Sequence, residues 1–107
     1  MAHPRAVTIK RLGILARKMR WVHKNARHLF DQDVLGAPEC GTPGCTGGWL
    51  QTLPSYKASG SQYWINFLQI YPEEDNRLFG IVRDSGIRTP LQSAKNIEKL
   101  IAEIKAT

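Results

Sequence analysis

An all-α, single-domain protein is the fold the sequence predicts, on three observations. Ala94, Ile97, Leu100, Ile101 and Ile104 recur at helical spacing after Thr89-Pro90. Ile9, Leu12, Leu15, Ala16, Met19 and Val22 do the same near the N-terminus. The 107 residues, 42% of them apolar, suit one modest core with little room for a deep pocket. The expected architecture is a compact bundle of four or five helices, with residues 1–107 forming one domain.

The first helix is read as capped by Thr8 and basic on its polar side, continuing past Trp21 toward Leu29 and Phe30. Gly13 inside it costs about 1 kcal/mol relative to alanine. The stretch FDQDVLGAPE reads as a loop. In CGTPGCTGGWLQTL, Thr42-Pro43 is a helix-start signal, because the threonine oxygen accepts an orphan amide and proline at the first position forfeits no hydrogen bond. Cys45, Trp49 and Leu53 then align on one side of a buried second helix. Gly44, Gly47 and Gly48 weaken that helix locally unless another segment packs against the backbone they bare.

PSYKASG reads as a loop, after which Ser59 or Ser61 caps a short helix carrying Tyr63, Trp64, Phe67, Leu68 and Tyr71. Pro72 opens another, with Glu73, Glu74 and Asp75 at its positive end and Leu78 and Phe79 on its buried side. GIVRDSGIR is expected as an extended segment or a loop. The last helix starts at Thr89-Pro90.

The order of LFDQD (29–33), ECGTPGC running to GGW (39–49), FLQIYPEEDNRLF (67–79) and TPLQSAKNIEKLI (89–101) resembles a group of small uncharacterised bacterial and bacteriophage proteins. Their pattern is Phe-Asp, then Cys-Gly-Thr-x-x-Cys-x-x-Gly-Trp/His, an apolar helix ending near Leu-Phe, and a closing Thr-Pro helix. The resemblance covers roughly residues 29–104, with the cysteine element as its specific motif. It implies a helical architecture and a phage or mobile-element context, and it carries no activity. The basic N-terminal helix is heavier than that pattern.

Charge is unevenly placed. Arg5, Lys10, Arg11, Arg17, Lys18, Arg20, Lys24 and Arg27 all precede Asp31, the first acidic residue, so residues 1–30 carry +8. The remaining seven basic and nine acidic side chains leave −2. Such asymmetry points to a polyanionic partner for the N-terminal segment or to an acidic protein surface. No apolar run reaches the ~18 residues a membrane span requires, and the opening lacks the apolar core of a secretory signal. Two cysteines in an otherwise cysteine-free chain suit a reducing compartment, and the expected location is cytoplasmic.

His23, His28, Cys40 and Cys45 supply the ligand count of a zinc site, but at spacings wider than usual. Cys45 near a helix start is also a candidate reactive thiolate, without a base near it in sequence, and Cys40 and Cys45 are a candidate redox pair. The preferred reading makes both cysteines small apolar packing residues, with no metal, no cofactor and no catalytic residues. FLQIYPEEDNRLF suggests a helix-turn-helix, yet the second helix opens with acids where phosphates would lie. Nucleic-acid contact is therefore expected from the first helix, or from the edge bearing Arg83, Arg88 and Lys95.

The sequence thus predicts a non-enzymatic binding protein. Its expected partner surface is Lys10, Arg11, Arg17, Lys18, Arg20, Trp21, Lys24 and Arg27, acting on nucleic acid or a nucleic-acid-handling complex. The alternative is an inhibitor or adaptor, of the anti-defence type for example, that docks this helix on an acidic host protein. A zinc or redox protein stands third.

Overall fold

The computed structural model describes residues 3–32 and 44–107. Among them no strand forms. The elements are α1 (Ala6–Asn25), a 3-10 turn at Arg27–Leu29, α2 (Thr46–Leu50), α3 (Pro54–Ser59), α4 (Trp64–Leu68), α5 (Pro72–Phe79), α6 (Val82–Ser85) and α7 (Pro90–Lys105). The all-α class is as expected, but the helices outnumber the expected four or five because one segment read as a loop and one read as an extended segment or a loop close into short helices. PSYKASG forms α3, where Pro54 takes the first position without losing a needed amide and Gly60, at φ 69°, ends the helix. In GIVRDSGIR, α6 stops at Gly86 in the same left-handed conformation, φ 74°.

The core is built by α1 against α7. Leu12, Leu15, Met19 and Val22 are fully buried on one, and Ala94, Ile97, Leu100 and Ile104 are buried on the other. Arg5 shares a surface groove with Ile104 and Thr107, whereas Arg20, toward the other end of α1, pairs with Glu98, so the two helices run antiparallel. Phe67, Leu68, Leu78, Trp49 and Leu50 from the short helices close the same core. At the start of α7 the expected Thr89 cap is present, its Oγ1 accepting from Gln92 N at 3.1 Å, and the structure adds a reciprocal bond in which Gln92 Oε1 accepts from Thr89 N at 3.1 Å.

Thr8 is not a cap. The first helix begins two residues earlier, and Thr8 is buried inside it with its hydroxyl donating to Gln69 O at 3.1 Å. The helix also stops at Asn25 rather than running to Leu29, which belongs to the 3-10 turn. Neither serine caps α4: its N-cap is Tyr63, and Ser59 and Ser61 hydrogen-bond to each other at 3.0 Å. Tyr63 and Tyr71 lie outside that helix and are exposed.

Residues 44–50 are all buried. Thr42-Pro43 and Cys40 fall outside the described residues; the N-cap of α2 is Cys45, whose Sγ accepts from Gly48 N at 3.4 Å. A thiol here fills the place that serine or threonine usually takes. The close packing expected around the glycines is present at Gly47, where an added Cβ would lie 3.0 Å from Trp64 Cζ3.

A buried polar cluster ties the chain after α1 to three other elements. Gln32 Nε2 donates to Leu78 O at 3.2 Å and Gly80 O at 3.0 Å, while its Oε1 accepts from Thr46 N at 3.0 Å and Thr46 Oγ1 at 2.8 Å. The Thr46 proton is then committed, so the Ser93 hydroxyl, 2.8 Å away, donates to Thr46 Oγ1. Every member is satisfied, which makes this cluster a specific lock among α2, α5 and α7.

Candidate functional site

The apolar positions of α1 bury one side against α7 and leave the opposite side to solvent. Lys10, Arg17 and Lys24 recur there at intervals of seven residues, and all three are exposed. Seven residues advance an α-helix by about 10 Å and nearly two full turns, so the three cations form one stripe roughly 20 Å long. Trp21 stands four residues after Arg17 and three before Lys24, which places it in that row. Half of its surface is exposed, at 50%. Past the helix end the exposed Arg27 joins His23, Lys24, Asn25 and His28 in lining an open depression of about 390 Å³.

The eight expected partner residues do not act as one set. Arg11 is half-buried: its Nη1 donates to Phe67 O and its guanidinium lies 4.4 Å from the centre of the Phe67 ring. Arg20 makes a two-pronged pair with Glu98, Nε to Oε2 at 2.8 Å and Nη2 to Oε1 at 2.7 Å. That hydrogen bonding holds the Glu98 carboxyl below the usual carboxylate range and raises Arg20. These two are fastenings between α1 and its neighbours.

Arg5 is a third. Its guanidinium donates to both oxygens of Glu74, at 2.9 and 2.7 Å, and stands 4.6 Å over the Tyr71 ring. Glu74 in turn accepts from Tyr71 N at 2.9 Å. Its carboxyl is held low, first by the Arg5 hydrogen bond and against the opposing effect of burial. Of the three acids at the start of α5, Glu74 is therefore engaged by Arg5 at the head of α1. Asp75 likewise accepts from Trp64 Nε1 at 2.6 Å.

Among the described residues, Lys10, Arg17, Lys24 and Arg27 have no carboxylate partner. Arg17 folds back along the stripe, its Nη1 lying 3.8 Å from where a Gly13 Cβ would stand. Lys18 sits at the margin of the stripe with its ammonium 4.4 Å from the Trp21 ring centre and 5.6 Å from that of Trp49. Trp49, buried on α2, meets Trp21 edge-on, with centres 6.4 Å apart and planes at 63°. Sequence reading missed this support because Trp21 and Trp49 come from helices distant in sequence.

The other candidate sites are differently disposed. Arg83, Arg88 and Lys95 are exposed, with Arg83 3.7 Å from Asp84. Cys45 is a buried thiol, and His23 and His28 belong to the depression at the end of α1. Among the described residues no three histidine, cysteine, aspartate or glutamate side chains come together as a metal-binding group, and no helix is long and apolar enough to cross a membrane. No protein-family model, curated protein or solved structure gives a significant match to the chain.

Proposed function

We propose that the chain is a non-enzymatic binding protein of phage or mobile-element origin whose α1 outer face contacts the phosphates of nucleic acid, alone or within a nucleic-acid-handling complex. One observation carries the reading: Lys10, Arg17 and Lys24 stand in one exposed row, with the exposed Arg27 past the helix end, and no acid among the described residues neutralises them. A row of exposed cations along one face of a helix gives affinity for a polyanion without reading its sequence.

Salt dependence tests it. Four phosphate contacts correspond to a log–log slope of affinity against salt of about −3. A slope near zero, or no affinity for any oligonucleotide at low salt, rejects the phosphate reading and moves the stripe to an acidic protein surface. Affinity purification of the tagged protein with and without nuclease separates the same two partners in the cell.

A further inference from the structure

We propose that the α1 stripe takes single-stranded rather than duplex nucleic acid, with one base stacked on the Trp21 indole. The proposal rests on the phosphate reading and adds to it the class of strand and a residue that selects it. A row of lysines and arginines alone favours duplex and single strand alike; an exposed aromatic ring within the row does not. In a duplex the base faces are already stacked on one another, whereas in a single strand each base has a face to offer a ring beside its own phosphates.

The setting of Trp21 fits that task. It is half exposed, yet the Trp49 edge contact and the Lys18 ammonium on its ring define its position before any ligand arrives. A ring ordered in advance loses less entropy on binding. Arg17 and Lys24 project from the same side of the helix, one turn before and one turn after it, so a strand tracking the stripe would bring a phosphate to each with a base between them. Lys18 lies close enough to Trp21 to meet a phosphate of the stacked nucleotide. Nothing in this arrangement reads base edges, so the expected binding is tolerant of sequence.

The test is a titration by fluorescence anisotropy of the whole protein with three probes of equal length: a single-stranded oligonucleotide, an abasic strand with the same phosphates, and a duplex. The unaltered protein should bind the base-bearing strand about 5- to 100-fold more tightly than the abasic one. Trp21→Ala should bring that affinity down to the abasic level while leaving abasic and duplex affinities unchanged, and Trp21→Phe should restore most of the loss. Indole fluorescence should fall on binding in the unaltered protein and much less in Trp21→Phe. If Trp21→Ala does not fold, the comparison of base-bearing and abasic strands on the unaltered protein still decides. Equal affinity for those two strands overturns the stacking proposal and leaves the phosphate reading standing. Tighter binding of the duplex overturns the single-strand assignment. Binding of none of the three removes both.

Discussion

The two sides of α1 carry the same kind of charge and use it for opposite ends. On its flanks Arg5, Arg11 and Arg20 reach sideways to Glu74, the Phe67 carbonyl and Glu98. On its outer face Lys10, Arg17 and Lys24 are exposed and, among the described residues, pair with no carboxylate. All three fastening residues are arginine, as expected of a planar fork that grips a carboxylate with two hydrogen bonds or lies flat on a ring. The outer row mixes arginine with lysine, a hydrated point charge on a flexible stem. A count of basic residues therefore overstates the charge presented to a partner, and the division between the two sets is the feature to probe.

The largest expected effect comes from the outer row. Changing Lys10, Arg17 and Lys24 together to glutamate should weaken oligonucleotide binding by more than about 100-fold at low salt, with the melting temperature little changed. On the flank, Arg5→Ala should do the reverse. It removes two charge-assisted hydrogen bonds from a largely buried carboxylate, so it should cost about 2 kcal/mol of stability while leaving binding within about twofold. Arg20→Ala, at an exposed pair, should cost less than Arg5→Ala. If Arg5→Ala abolished binding at unchanged stability, Arg5 would belong to the outer set and the division would fail.

Acid titration sharpens the same contrast. The folded-state pKa of Glu74 lies below its unfolded value, so the unfolded chain takes up the proton first as pH falls. The stabilisation from the Arg5 pair is thus complete at neutral pH and is lost as pH drops below about 4. Denaturant midpoints of the unaltered protein and of Arg5→Ala should differ at pH 7 and converge in acid. A gap that persists unchanged at low pH would mean that Arg5 acts through the Tyr71 ring and the Gln69 carbonyl, to which it also donates, rather than through Glu74.

How far these roles were legible depends on how local their causes are. The closing helix was legible because Thr89 and Pro90 act within one turn and its apolar residues keep one period. The apolar stripe of α1 was legible for the same reason, and with it the exposed row opposite. By contrast, Thr8 looked like a cap from its neighbours alone, while a carbonyl 61 positions away decides its role. Arg11 and Arg20 carry no sequence mark that distinguishes them from Arg17, because Phe67 and Glu98 are brought to them only by packing. The short helices α3 and α6 were read as a loop and as an extended segment or a loop since their few residues set no period, and their ends are set by Gly60 and Gly86.

The smallest effects distinguish the outer and inner faces through one substitution, glycine to alanine. At Gly47, inside the molecule, the new Cβ would stand 3.0 to 3.3 Å from three carbons of the Trp64 ring. That ring has little freedom to retreat: its Nε1 donates to Asp75 at 2.6 Å, and Phe79 lies against it at 5.2 Å between centres. Gly47→Ala should therefore destabilise by about 1 kcal/mol or more through overpacking. At Gly13, on the outer side, the new Cβ would meet, among the described residues, only Arg17 Nη1, at an ordinary 3.8 Å. There alanine restricts the unfolded chain and favours the helix without a clash, so Gly13→Ala should stabilise by about 0.5–1 kcal/mol. The arginine head can shift along the stripe, so oligonucleotide affinity should stay within about twofold and the salt slope near −3. A lower melting temperature for Gly13→Ala would show that this stretch of α1 is covered in solution, and the stripe would then be an internal surface rather than a place for a strand to bind.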